Sequence, residues 1–436
     1  MFSIRYAGHK SVIACLIGVS VSITAMAGGH TGHTGHDARP PASETKAATS
    51  SLRESAERAW QRSPLARHAE GRVQEALASE ALSQAWLSGA PSLSLSHRDD
   101  RAGRRLGATE QELGISAPLW APGQRQAMQE AAQAQALQAQ AELSRVRLSL
   151  AGQVRELLWQ TLLAQRQEGQ ARGHHATLLT LQTDVLRRVK AGDLARADAL
   201  LIEQEVIAAE ALWQTAQLHH AQALRRWHLL TGETQPPRVE VPDTSALDLN
   251  TTRPDWHETL AQHPDMVSAQ STLERARREV NRAQRSGQQA PEVGMNMKWQ
   301  GGDPGQPSDR SLGFTVRWPL GTDPVANLKV AQADTELILA QATLAQQRDV
   351  VEHALLETFE ALLGQRRQAM GSARRAQLAQ ERLALIRRSF ELGDISLTEH
   401  LRATALATEA LATLARDQAS LGLAQARYEQ AQGILP

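Results

Sequence analysis

The chain has 436 residues with 47 basic and 47 acidic side chains, so it carries no net charge that would attract nucleic acid. Aromatic residues make up only 3% of the sequence, too few for the core of a large globule. Alanine, glutamine, leucine, arginine and glutamate are abundant instead, which is typical of long helices that pack through small side chains. The sequence contains no P-loop, dinucleotide-binding glycine motif, zinc-protease motif or nucleophile elbow. It therefore predicts neither an enzyme nor a bound cofactor.

Residues 1–27 have the pattern of a secretory signal peptide. A positively charged start precedes an apolar stretch, and Ala25-Met26-Ala27 supplies the small residues of a cleavage site. Cys15 is the only cysteine and loosely matches a lipoprotein processing site, which leaves lipidation as an alternative. The apolar residues that follow Cys15 favour simple cleavage after Ala27, and the mature chain would then contain no thiol and no disulfide.

Residues 28–50 are poor in apolar side chains and rich in His, Thr, Pro and Ala, which predicts a disordered leader. Within this leader, His30, His33 and His36 recur at every third position. Neutral imidazoles suit a borderline divalent ion such as zinc or copper, so the leader is predicted to capture metal weakly on a flexible tether. A polar tail without any ion is the alternative.

The histidines of the helical part occur as two adjacent pairs, His174-His175 and His219-His220. Adjacent residues point to different faces of a helix and do not form a chelating pair. We interpret both pairs as solvated.

The chain after the leader alternates between helical and strand patterns. A helical stretch broken at Pro64 comes first, and strict apolar–polar alternation over about 92–119 then predicts a β-hairpin with one apolar face. Over 124–191, apolar residues spaced three and four apart predict a proline-free helix of roughly 100 Å. After Gly192-Asp193 a return helix is predicted, ending at Gly232.

The same order of patterns recurs about 200 positions later. His263-Pro264 corresponds to Ser63-Pro64, and alternation over about 293–320 predicts a second hairpin. The chain is therefore a duplication. Its predicted parts are a first repeat over 51–232, a proline-rich linker over 233–255 and a second repeat over 256–436.

Each predicted long helix ends at a Gly-Asp pair, and an acidic residue follows six positions after the glycine. The two turns span about 190–198 and 391–399 and place Asp198 and Glu399 at the start of the return helices. Glycine can adopt the left-handed conformation that ends a helix, and an acid stabilises the start of the next one. Ordinary helix ends are one interpretation, and a functional site present twice is the other.

The order helix, β-hairpin, long helix, Gly-Asp turn and return helix, present twice, resembles the TolC-type outer-membrane efflux factors over nearly the whole mature chain. The resemblance implies a mainly α fold with a small β part. It implies a homotrimer with one β-barrel in the outer membrane, in contact with its lipid, and a long α-helical tunnel in the periplasm. Four strands of one chain cannot close a barrel, which agrees with a barrel to which several chains contribute strands. Trp120, Trp299 and Trp318 near the strand ends suit either an aromatic membrane girdle or ordinary packing.

In that family the two turns form the periplasmic tip, where a membrane-fusion adaptor docks. The resemblance implies this docking role for Gly192, Asp193, Leu194 and Ala195 of one turn and for Gly393, Asp394, Ile395 and Ser396 of the other. It also implies an aperture gate at Asp198 and Glu399, and Arg402 occupies a position where the family carries an acid. Simple N-terminal helix acids are the alternative for Asp198 and Glu399.

The implied function is a passive outer-membrane channel for substrates that an inner-membrane RND pump delivers through the periplasmic adaptor. The His-rich leader and the linker favour the heavy-metal branch, with cations as substrates. Drug efflux or type I secretion is the alternative within the family. A periplasmic coiled-coil adaptor or scaffold without a pore is the alternative outside it.

Overall fold

The computed structural model describes residues 51–99, 109–239, 254–287, 289–301, 307–319 and 324–436, all within the unit Thr49–Pro436. The predicted signal peptide, the leader and residues 240–253 of the linker lie outside the described residues. The predictions for Cys15, His30, His33 and His36 therefore stay predictions.

The first half of the chain contains two short helices, a hairpin, one very long helix and a return helix. The short helices separate at Ser63, whose hydroxyl accepts a hydrogen bond from the Ala66 N–H at the start of the second helix. The break follows because Pro64 has no N–H and fits the first turn of a new helix. The elements are α1 (Leu52–Arg62), α2 (Pro64–Ser83), β1 (Ser92–Asp99), β2 (Thr109–Pro118), α3 (Gln124–Ala191) and α4 (Arg196–Thr231).

The second half repeats this order. Its elements are α5 (His257–Gln262), α6 (Pro264–Ser286), β3 (Glu292–Gly301), β4 (Asp309–Arg317), α7 (Pro324–Leu392) and α8 (Leu397–Ala431). Gly232 and Gly433 follow the return helices in the same left-handed conformation, with φ of 79° and 77°. The predicted fold class, a duplicated and mainly helical chain with a small β part, is confirmed.

The two hairpins form one four-stranded antiparallel sheet in the order β1-β2-β3-β4. The halves of the chain join where β2 pairs with β3, so the sheet belongs to neither repeat alone. β1 and β4 are the edge strands.

One face of this sheet is apolar and exposed. Residues paired directly across strands point to the same face, and successive residues alternate between faces. The register therefore gives two apolar rows of side chains that are 40–78% exposed, Leu93-Ile115-Met295-Phe314 and Leu95-Leu113-Met297-Leu312.

The opposite face of the sheet is polar. It carries the row Ser94-Gly114-Asn296-Gly313 and two ion pairs of 3.0 Å, Lys298 with Glu110 and Arg317 with Glu292. The strict alternation in the sequence thus corresponds to a sheet with two chemically different faces.

The helices pack side by side in two orders. Near the sheet the order is α2, α3, α6, α7, and near the two turns it is α4, α3, α8, α7. The contact surfaces are built from alanines and other small residues, as the composition predicts, and Gly422 of α8 lies directly against the Trp159 ring of α3. Among the described helices, none has an apolar stretch long enough to cross a membrane.

Candidate functional site at the paired helical turns

Both long helices end in the same hydrogen-bonded turn. In the first, Gly192 has a φ of 87° and donates its N–H to the Val189 carbonyl (3.1 Å), while Asp193 donates to the Arg188 carbonyl (2.9 Å). These two bonds define the Schellman motif, which requires a left-handed residue and therefore favours glycine. The second turn repeats them, from Gly393 to Phe390 (3.1 Å) and from Asp394 to Ser389 (2.9 Å).

The return helices begin with different caps. At the start of α4, the Asp198 carboxylate accepts a hydrogen bond from the Ala195 N–H (3.1 Å). At the start of α8, the Ser396 hydroxyl accepts from the Glu399 N–H (3.3 Å), and the Glu399 carboxylate instead pairs with Arg382 (3.1 Å). Alanine has no side-chain acceptor, so in the first turn the acid itself stabilises the helix start.

The two turns lie together at one end of the helices. Leu194 and Ile395, from the two turns, pack against one apolar cluster shared by α3, α4, α7 and α8. Its buried members are Leu178, Val185, Ile202, Val206, Ala209, Phe390 and Leu397.

Arg188 of α3 connects the two turns directly. Its Nη1 donates to the Phe390 carbonyl (3.1 Å), its Nε pairs with Asp184 (2.9 Å), and its guanidinium carbon lies 4.9 Å from the centre of the Phe390 ring. An arginine fork can serve a carbonyl, a carboxylate and a ring face at once, which a lysine cannot. Arg188 therefore stabilises the contact between the two turns.

His400 of α8 is buried beside this contact. Its ring stacks on Phe390 at 5.0 Å, only 7% of the residue is exposed, and its Nδ1 has no hydrogen-bond partner. Burial lowers the pKa of His400, the charge of Arg387 lowers it further, and Glu391 acts in the opposite direction. His400 is therefore held neutral near pH 7.

The remaining predicted residues lie on the surface of the turns. Asp193, Asp394 and Arg402 are exposed, and Asp198 and Glu399 are partly exposed. Within the described chain Arg402 forms no ion pair, so its charge is available to a partner or to ions. The arrangement offers carboxylates and a guanidinium at fixed helix ends, which suits docking or ion attraction.

Sequence reasoning missed Phe390, His400 and the contacts of Arg188 with the second turn. The duplication pairs Phe390 with no aromatic residue in the first half. The scarcity of aromatic residues in the chain was therefore the only feature that could have singled it out. The contacts of Arg188 reach residues about 200 positions away, which no local pattern indicates.

The interpretation of the paired histidines as solvated is wrong for three of the four. His220 Nδ1 lies 2.5 Å from the Glu168 carboxylate, His174 bonds to the Thr408 hydroxyl (3.1 Å), and His175 stacks on Trp213. In the described residues, no three His, Cys, Asp or Glu side chains lie close enough together to hold a metal ion.

Solved structures of outer-membrane channels share the fold of this chain, although no protein-family model and no curated protein sequence matches it. CusC, from a study of transmembrane channel formation, has a TM-score of 0.71 and 17% identity over 88% of this chain and 92% of its own. The CmeC outer membrane channel of Campylobacter jejuni has a TM-score of 0.70 and 14% identity, with 88% and 85% covered. The outer membrane protein VceC of Vibrio cholerae has a TM-score of 0.69 and 15% identity, with 88% and 96% covered.

Proposed function

We propose that the chain is the outer-membrane component of a tripartite efflux system, a passive channel without catalytic activity. The observation that carries the proposal is the four-stranded sheet, with an exposed apolar face, a polar face and two open edges. The shared fold with CusC, CmeC and VceC supports the same function.

The faces of the sheet match the two environments of a membrane barrel. Apolar surface is stabilised by about 25 cal/mol for each Å² removed from water, so a face with side chains such as Phe314 (77% exposed) and Leu95 (78%) favours lipid. The opposite face, with Lys298 paired to Glu110 and Arg317 paired to Glu292, is suited to a water-filled lumen.

The open edges require further copies of the chain. Unpaired N–H and C=O groups on β1 and β4 cannot be satisfied in lipid, and a closed barrel is the arrangement that pairs them. Pairing β4 of one copy with β1 of the next in a ring of three gives twelve strands. We therefore propose a homotrimer, located in the outer membrane with a large periplasmic part.

The turns lie far from the sheet. α3 runs without interruption for 68 residues from the hairpin to the first turn, roughly 100 Å at a rise of about 1.5 Å per residue. We propose that this end is the periplasmic tip. There the exposed turn residues Asp193 and Asp394 contact a membrane-fusion adaptor, and Asp198, Glu399 and Arg402 set the charge at the aperture.

The substrates and the pump can be proposed as well. We propose an inner-membrane RND pump as the energy source and heavy-metal cations as substrates, on the basis of the His-rich leader and the acids at the tip. The test is the growth of a deletion strain, with and without the complementing chain, on zinc, cobalt, cadmium, copper and silver and on a panel of organic toxins. Increased sensitivity to metals alone is expected. Increased sensitivity to organic compounds alone would contradict the metal assignment while supporting efflux.

A further inference from the structure

The helices near the turns form a row with two open flanks. α4 packs on α3, α3 on α8 and α8 on α7, so α4 and α7 end the row. We propose that these flanks form one seam between copies, in which α7 of one copy packs against α4 of the next. Opposite charges on the two helices fix the position of one helix along the other, which is the register of the seam. This inference rests on the proposed ring of copies and specifies how the helical part closes.

Each flank carries an apolar stripe that the described chain leaves uncovered. On α4, Leu200 and Ile207 are 58% and 61% exposed and lie roughly 140–160° around the helix from buried Ile202. On α7, Leu385 is 71% exposed and lies roughly opposite buried Ala376. The full stripes are Leu200, Ile207 and Leu218 on α4 and Leu378, Leu385 and Leu392 on α7.

The spacing of these stripes is that of a helix–helix seam. Leu378, Leu385 and Leu392 are separated by seven residues each, and Leu200 and Ile207 also by seven. A seven-residue apolar repeat favours packing against another helix along its length. A second copy supplies such a helix, because a ring brings the α4 flank of each copy against the α7 flank of its neighbour.

The charges nearest the turns are complementary across this seam. Both turns lie at the same end of the helices, so distance from the turns gives the level of each residue. Glu203 and Glu210 lie about two and four helical turns after Ala195, and both are exposed. Arg382 and Arg374 lie about three and five helical turns before Gly393 and are exposed as well.

Both pairs of opposite charge share one offset between the two helices. Each arginine lies about one helical turn, three or four residues or roughly 4.5–6 Å, further from the Gly-Asp turns than the glutamate it would face. Arg382 also pairs with Glu399 of its own copy, so in the seam it would lie between two carboxylates. The shared offset therefore predicts a single register for the seam.

Further from the Gly-Asp turns, the positive charge lies on α4 and the negative charge on α7, and the offset along the helices is the same. Arg225 on α4 lies about eight helical turns after Ala195, and Glu360 on α7 lies about nine before Gly393. Both side chains are exposed, and neither forms an ion pair within the described chain. A slip of one seven-residue repeat would place Arg225 opposite Arg367 instead of Glu360. The exchange of signs therefore favours one register and penalises that alternative.

Charge reversal tests the seam in the full-length protein. Arg225→Glu is expected to lower the temperature at which the detergent-solubilised trimer dissociates, and adding Glu360→Arg is expected to restore most of the loss. The matched control is Arg416→Glu, an exposed arginine of α8, which lies between α3 and α7 and on neither flank. A double variant no more stable than Arg225→Glu, or a control equally destabilised, would overturn the seam.

Cysteine cross-linking tests the same seam without changing a charge. In a Cys15→Ser background, Ile207→Cys combined with Leu378→Cys is expected to give covalent dimers and trimers on oxidation. Ile207 lies about three helical turns from the first Gly-Asp turn, and Leu378 lies about four helical turns from the second, which matches the predicted offset. The mismatched control is Leu218→Cys with Leu378→Cys, because Leu218 lies about six helical turns from the first turn.

Equal cross-linking of both cysteine pairs, or none of either, would contradict the seam. Channel conductance of the unmodified protein shows separately whether the proposed function stands. A conducting protein without these cross-links would overturn the seam alone.

Discussion

Gly422 has no room for a side chain. A Cβ added to it would overlap the six-membered ring of Trp159, whereas one added to Gly371 on α7 would meet nothing within 4 Å. Overpacking of a tight contact costs about 1–3 kcal/mol, and glycine within a helix is itself about 0.5–1 kcal/mol less stable than alanine. We therefore expect Gly422→Ala to lower the thermal unfolding midpoint and Gly371→Ala to raise it slightly. The two midpoints, measured in detergent, check this contact, and equal effects would show that the α3–α8 contact tolerates a methyl group.

His400 makes the packing of the turns sensitive to pH. Its pKa in the folded chain lies below its ordinary value of about 6.5, so the unfolded state takes up a proton first as the pH falls. The contribution of the neutral ring to stability is therefore complete above about pH 6.5 and is lost as the pH falls toward the lowered pKa.

Hydrogen exchange measures this loss directly. Amides at the start of α8, corrected for intrinsic rates, are expected to lose protection between about pH 7.5 and about pH 5.5. His400→Phe keeps a ring against Phe390 and should remove most of that dependence. His353→Gln, which alters a histidine with a 76% exposed side chain, should leave it unchanged. Persistence of the full pH effect in His400→Phe would assign it to another group.

At the scale of elements, the two faces of the sheet give opposite expectations for neighbouring residues. Phe314 lies on the apolar face and Thr315 on the polar face. A lysine facing lipid near the bilayer midplane costs about 2–4 kcal/mol, whereas one facing a lumen costs little. Phe314→Lys should reduce the amount of protein in the outer-membrane fraction, and Thr315→Lys should not. A larger loss with Thr315→Lys would reverse the assignment of the faces.

The starts of the return helices allow charge to be separated from capping. An amide oxygen can still accept the hydrogen bond that Asp198 takes from Ala195 and the one that Glu399 takes from Arg382. Asp198→Asn combined with Glu399→Gln therefore removes two carboxylates per copy without removing either bond. We expect weaker block of single-channel current by divalent cations added at the tip side. Unchanged block would place these carboxylates away from the lumen.

The sequence predicts the helices and strands better than the contacts between them. Pro64, the Gly-Asp turns and the alternating stretches act through local backbone geometry, so the order and approximate ends of the helices and strands follow from them. The pairing of β2 with β3 and the contacts of Arg188 with the second turn join residues far apart in the chain. The same holds for His220, whose partner Glu168 lies on another helix and turns an apparently solvated side chain into a packed one.

At the scale of the whole molecule, the sheet and both halves of the helical row are open on two sides. β1, α2 and α4 lie on one side, and β4 and α7 lie on the other. The proposed head-to-tail ring would close the sheet and both halves of the helical row with one rotation, and it would cover the apolar surface that a single chain exposes. We therefore expect several copies of the chain to form a membrane channel together.

Electrical recording tests channel formation most directly. The purified full-length chain, added from detergent to a planar lipid bilayer, is expected to produce discrete, uniform current steps. Phe314→Lys, which places a charge on the lipid face, should give few such insertions at the same protein concentration, and Thr315→Lys should give as many as the unmodified chain. A chain that stays soluble and monomeric without detergent and produces no current steps would contradict the account.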